Sequence, residues 1–98
     1  MGIIFEVTGK SKRKIHLSKE RWHHITIAHP EMANYLDKIQ ETVEKPLKTT
    51  PHSAKGDLRF YYTYQKHRNH PEKYLRLIIK YLNGKGFIVT AQFVRNIR

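Results

Sequence analysis

The chain has 98 residues, of which 19 are Lys or Arg and eight are Asp or Glu, a formal net charge of +11 with His neutral. That length gives one domain with room for a single core, and a hydrophobic fraction of 39 % with 11 % aromatic residues excludes a disordered chain. The absence of cysteine excludes a disulfide framework and a thiolate metal site. The longest apolar runs are three residues, far short of a membrane span, and an acid, Glu6, stands where a signal peptide would be apolar. A cytoplasmic protein with no membrane partner is therefore expected. A cationic excess of this size attracts polyanions through counterion release, so nucleic acid is the first partner to consider.

From Gly2 to Thr8 the chain is rich in strand formers, and a basic turn, Gly9-Lys10-Ser11-Lys12-Arg13-Lys14, returns it into Ile15-His16-Leu17. This pattern predicts a short N-terminal hairpin. Ser18 is a good N-cap, Glu20 falls in the first turn, and the residue before Pro30 is driven out of the α region, so a helix should run from Ser18 and break at His29. It carries the only Trp and three of the seven His. At about 100° per residue, Trp22, Ile25 and His29 share one face, while His24, Ile27 and Ala28 fall nearly opposite. A helix with an imidazole on each partly apolar face is expected between a core and a cleft, with one His available for acid–base work.

Pro30 suits the first turn of a second helix, whose stripe Met32, Leu36, Ile39 and Val43 ends before Pro46. Lys45 to Gly56 is a loop with at most a short edge strand. Leu58 to Tyr64 is a strand with Phe60, Tyr62 and Tyr64 on one face and Arg59, Tyr61 and Thr63 on the other. A polar connection over residues 65–72 follows. Tyr74 to Leu82 and Phe87 to Val94 form a hairpin; with Gly84 to Gly86 as its loop, Leu77 meets Phe93, Ile79 meets Ala91 and Tyr81 meets Val89 on the core face. The same register sets Lys80 opposite Thr90, Ile78 opposite Gln92 and Arg76 opposite Val94 on the other face. The order of elements predicts an α+β domain spanning 1–98, in which an N-terminal hairpin and two helices pack on an antiparallel sheet of about four strands.

Three functions fit these residues. A helix His, Lys80 and Thr90 converging over the polar face of the sheet would suit RNA cleavage, which needs a base for the 2′-hydroxyl, an acid for the leaving oxygen and donors for the charged phosphorane. The same surface could instead only bind RNA or DNA, with aromatics stacking on bases and cations following phosphates. A metal held by His23, His24, His29 and His52 is disfavoured, because neither adjacent His nor a five-residue spacing gives the one-turn pair of a helical metal site. No cofactor is expected.

The motifs Trp22-x-His24-Ile25-x-x-x-His29-Pro30-Glu31, Ile39-x-x-Thr42-Val43-x-x-Pro46, Tyr74-Leu75-x-x-Ile78-Ile79-Lys80 and Gly86-Phe87-Ile88-Val89-Thr90-Ala91 occur in that order. Over about Leu17 to Arg98 the chain resembles the phage-type branch of the barnase/EndoU/colicin/RelE-like nuclease superfamily. The resemblance implies helices on a four-stranded antiparallel sheet whose open face holds the site, metal-independent endoribonuclease activity by 2′-hydroxyl attack, and a toxin held by a cognate antitoxin, here expected to be acidic. It places the site on His24, His29 and Thr90, with basic positions at Lys80 and Arg95. Gln92 departs from its pattern, which has an aromatic or small residue there. Nucleic-acid contacts are expected from the Lys and Arg residues of the N-terminal hairpin and from Arg59, Tyr62, His67, Arg68, Arg76, Arg95 and Arg98.

Overall fold

The computed structural model describes residues 2–52 and 56–97. Strands β1 (Ile3–Thr8) and β2 (Lys14–Ser18) form the N-terminal hairpin, followed by helix α1 (Lys19–Ala28), a 3-10 turn (Pro30–Asn34) and helix α2 (Leu36–Glu44). Strands β3 (Lys48–Pro51), β4 (Leu58–Tyr64), β5 (Tyr74–Leu82) and β6 (Lys85–Val94) complete the chain. The class is α+β, as its order of elements implies. No helix among the described residues is long and apolar enough to cross a membrane.

The sheet has six strands in the order β1-β2-β6-β5-β4-β3. Strands β3 to β6 form the four-stranded antiparallel part, and the hairpin extends it through a parallel pairing of β2 with β6, so the sheet is mixed rather than antiparallel throughout. That junction is short, with Ile15 opposite Gly86 and His16 opposite Phe87. It ends because the chain leaves the sheet at Ser18, whose hydroxyl accepts the Arg21 N–H at 3.1 Å and starts α1.

Both helices pack on one side of the sheet. Ile25, Met32, Ile39 and Val43 meet Ile15, Leu17, Tyr61, Leu75, Leu77, Ile79, Ile88, Ala91 and Phe93 in one buried core. The stripe expected of a single second helix is thus divided: Met32 enters the core from the 3-10 turn, and Ile39 and Val43 enter it from α2. Thr42 is buried among them, its hydroxyl satisfied by the Lys38 carbonyl at 2.7 Å and the Thr63 hydroxyl at 2.7 Å. Ile27, on the far side of α1, remains 64 % exposed.

The β5–β6 hairpin turns at Asn83-Gly84, not at Gly84 to Gly86. Leu82 pairs with Lys85, and the two residues between them have positive φ of 55° and 78°, the geometry of a type I′ turn. The ladder is displaced accordingly, with Leu75 opposite Phe93, Leu77 opposite Ala91 and Ile78 opposite Thr90. An irregularity between Ile78 and Ile79 then inserts Val89 as an extra residue, so that Ile79 meets Ile88 and Lys80 meets Phe87. Ile88 therefore holds the core position expected of Val89, and Lys80 is not the direct partner of Thr90.

Candidate nucleic-acid interface

Strand alternation divides the sheet cleanly. Opposite the helices, its outer face presents Phe60 and Tyr62 from β4, Arg76, Ile78 and Lys80 from β5, Phe87, Thr90, Gln92 and Val94 from β6, and His16 from β2, whose ring lies 6.0 Å from that of Phe87. The helices leave this face uncovered, and two clefts open at its ends.

At one end a cleft of about 640 Å³ is lined by Pro51, Phe60, Glu72, Arg76, Val94, Arg95 and Asn96. The Arg76 guanidinium carbon lies over the Phe60 ring, 4.8 Å from its centroid, a cation–π contact at the wall of the cleft. Arg76 Nε is buried and has no hydrogen-bond partner among the described residues. A buried guanidinium donor left unsatisfied is costly, and an anion or ordered water in the cleft would satisfy it.

At the other end a cleft of about 360 Å³ is lined by Arg21, Asp57, Leu58, Lys80, Phe87 and Val89. Lys80 Nζ lies 3.7 Å from Asp57 Oδ2, with side chains 41 % and 48 % exposed. An ion pair that open to water is weak, so a phosphate can compete for the ammonium. Thr90 lies between the two clefts. As the partner of Ile78 it is a diagonal neighbour of Lys80, at roughly 7–8 Å for such pairs.

The helix contributes Arg21 directly to the Lys80 cleft. His24 follows three residues later, on the same flank of α1; it is exposed, with its ring 6.2 Å from that of His23. His29 is placed differently. It ends α1, its N–H donating to the Ile25 carbonyl at 2.7 Å and its own carbonyl accepting from Met32 at 2.9 Å, and its side chain is half-buried. The structure thus brings Lys80 and Thr90 to one face and Arg21 of α1 beside Lys80, with His24 one turn further along the helix and His29 at its end.

The other expected contacts separate. Arg76 and Arg95 line the larger outer cleft. Arg59 lies on the helix side of β4, its Nη2 donating to Thr49 Oγ1 at 3.5 Å. Tyr62 is fully buried, so the β4 aromatics with surface to offer a base are Phe60, half-buried, and Tyr64, exposed at the end of the strand. Arg68 stacks 3.8 Å from the Phe93 centroid and donates to the Glu72 carbonyl, which ties the 65–72 connection to the core. His67 is exposed beside Lys66 in a separate hollow against α2. Arg98 lies outside the described residues.

Arg21, Phe60 and Phe87 were not anticipated. Phe60 and Phe87 alternate with core residues, which marks them as outer-face residues once the strands are known; Arg21 gives no signal until the N-cap fixes which flank it occupies. Among the described residues no three of His, Cys, Asp or Glu gather as a metal site. Comparison of this chain with known protein families, with curated proteins and with solved structures finds no match.

Proposed function

We propose that the chain is an endoribonuclease that binds RNA along the outer face of its sheet and cleaves it by attack of the substrate's own 2′-hydroxyl, without a metal ion. The observation that carries the binding step is the unsatisfied, buried Arg76 Nε beside Arg95 and Phe60: a donor set and an aromatic surface in an open cleft, on a chain of net charge +11. In the chemical step, Lys80 and Thr90 hold the charge that develops on the phosphorane. His24, beyond Arg21 on the helix, takes or gives the proton. The ordered motifs from Trp22 to Ala91 support the same reading. A protein of this activity has to be held silent in the cell that makes it, and an acidic antitoxin laid across the basic face would do so by charge complementarity.

The test is incubation of the purified chain with total RNA in excess chelator. The reading requires fragments ending in 2′,3′-cyclic phosphate. Tight, salt-sensitive binding with intact RNA would replace it with the second reading that Arg76 favours, a non-catalytic nucleic-acid-binding module; activity lost in chelator would replace it with a metal-dependent enzyme.

A further inference from the structure

A second basic pocket lies on the opposite side of the sheet. The turn of the β1–β2 hairpin lies beside the helix-facing side of β4 and β5 and forms with it an open pocket of about 470 Å³ lined by Lys10, Ser11, Arg13, Thr49, Gly56, Arg59, Tyr61 and Tyr81. The turn is built, not loose: the Gly9 N–H donates to the Arg13 carbonyl and the Lys12 N–H to the Gly9 carbonyl, each at 2.9 Å, with Lys12 at φ 65°. Gly9 fits against Ile15 and the Val43 carbonyl, which fixes the turn beside the last residues of α2.

Among the described residues, the pocket is lined by three cations and no carboxylate. Asp57, the nearest acid in sequence, is engaged with Lys80. The Arg13 guanidinium carbon lies over the Tyr81 ring, 4.6 Å from its centroid, a cation–π contact that does not use its N–H donors. Arg59 makes a long bond of 3.5 Å to Thr49. The Tyr61 hydroxyl is hydrogen-bonded to those of Tyr81 and Ser11, which uses two of the three protons and leaves one to donate. Burial first, and then the Tyr81 hydrogen bond, push the Tyr61 phenol up to about 12, so it stays a neutral donor and adds no negative charge.

From this geometry we infer that the pocket is a binding site for a phosphate group. Two guanidinium forks, an ammonium and the Ser11 and tyrosine hydroxyls supply more donors than the two oxygens of a carboxylate accept, whereas the three terminal oxygens of a phosphate monoester match them. Bringing three like charges together is costly in the empty pocket, and a dianion reverses the sign of that term. The volume has room for the phosphate and a small organic group attached to it, such as a nucleoside. The site shares no lining residue with the outer face and does not depend on cleavage.

The experiment is a nuclear magnetic resonance titration of the folded chain with inorganic phosphate at fixed ionic strength, following the Nε–H signals of Arg13 and Arg59. Saturable shifts of both are expected, with the Arg13 shift lost in Arg59→Gln and both kept in Arg76→Gln, and with Ser11→Ala weakening binding several-fold as a milder check that leaves the fold alone. A nucleoside monophosphate that saturates the same signals at tenfold lower concentration identifies a nucleotide as the source; saturation at the same concentration identifies free phosphate. Shifts that never saturate, that survive Arg59→Gln, or that acetate reproduces at equal concentration would overturn the inference.

Discussion

Thr90 stands across the β5–β6 ladder from Ile78, one step along the outer face from Lys80. The displacement comes from the Asn83-Gly84 turn together with the extra residue Val89, and because it equals two residues at this point it keeps both side chains on the face away from the helices. A hydroxyl and an ammonium on one open face, a diagonal apart, can share a phosphate without touching each other. Both are assigned to charge that develops in the transition state, so Lys80→Ala and Thr90→Ala should each lower the cleavage rate by about 10²-fold with RNA affinity changed only a few-fold. Single-turnover rates set against equilibrium binding check this; equal losses in the two would mean that the residues only bind.

Two arginines expected to bind RNA now carry different predictions. Arg76→Ala should weaken RNA binding and reduce the slope of log affinity against log salt by roughly 0.7 for a single strand, the share of one phosphate contact. Arg68→Ala should leave that slope alone and instead lower stability by about 1–3 kcal/mol, since it removes the stack on Phe93 and the bond to the Glu72 carbonyl. Salt titrations and thermal melts of both variants separate the two roles.

Tyr61 gives a pH signature. Its ordinary value is 10.0, and burial, reinforced by the Tyr81 hydroxyl, raises it to about 12 in the folded chain. The unfolded chain therefore releases this proton first. The stabilisation is complete below about pH 10 and is lost as pH rises toward about 12, so the melting temperature should fall across that window. Tyr61→Phe should flatten this fall while lowering stability at neutral pH, because the Tyr81 hydroxyl loses its partner. A melting temperature equally steep in the variant would assign the alkaline transition to other groups.

The elements that the sequence makes plain are those fixed by local chemistry. Ser18 caps α1, Pro30 ends it, and the alternation in Arg59 to Thr63 sets Tyr61 inward and Phe60 outward, all within a few residues of chain. The parallel β2–β6 pairing has no local signal, because it depends on where the chain leaves the sheet after Leu17. The position of Thr90 required both the type I′ turn and the extra residue Val89, and a bulge is not visible in a run of apolar and β-branched residues. The phosphate pocket was hidden for the same reason. Arg59 follows Lys10 and Arg13 by more than forty residues, and only the fold of the hairpin tip onto β4 and β5 brings Arg13 to Tyr81 and Arg59.

His24 is the residue on which the nuclease account turns, and the rate of RNA cleavage by His24→Ala, in chelator and at saturating protein, tests it most directly. A general acid or base contributes about 10²–10⁴-fold, so the variant should cleave at least about 10²-fold more slowly than the parent, with the same melting temperature and with RNA affinity within a few-fold. His29→Ala, at the break after α1, should cost stability before it costs rate. Cleavage by His24→Ala at the parental rate would contradict the assignment of proton transfer to α1 and leave the outer face as a binding surface only.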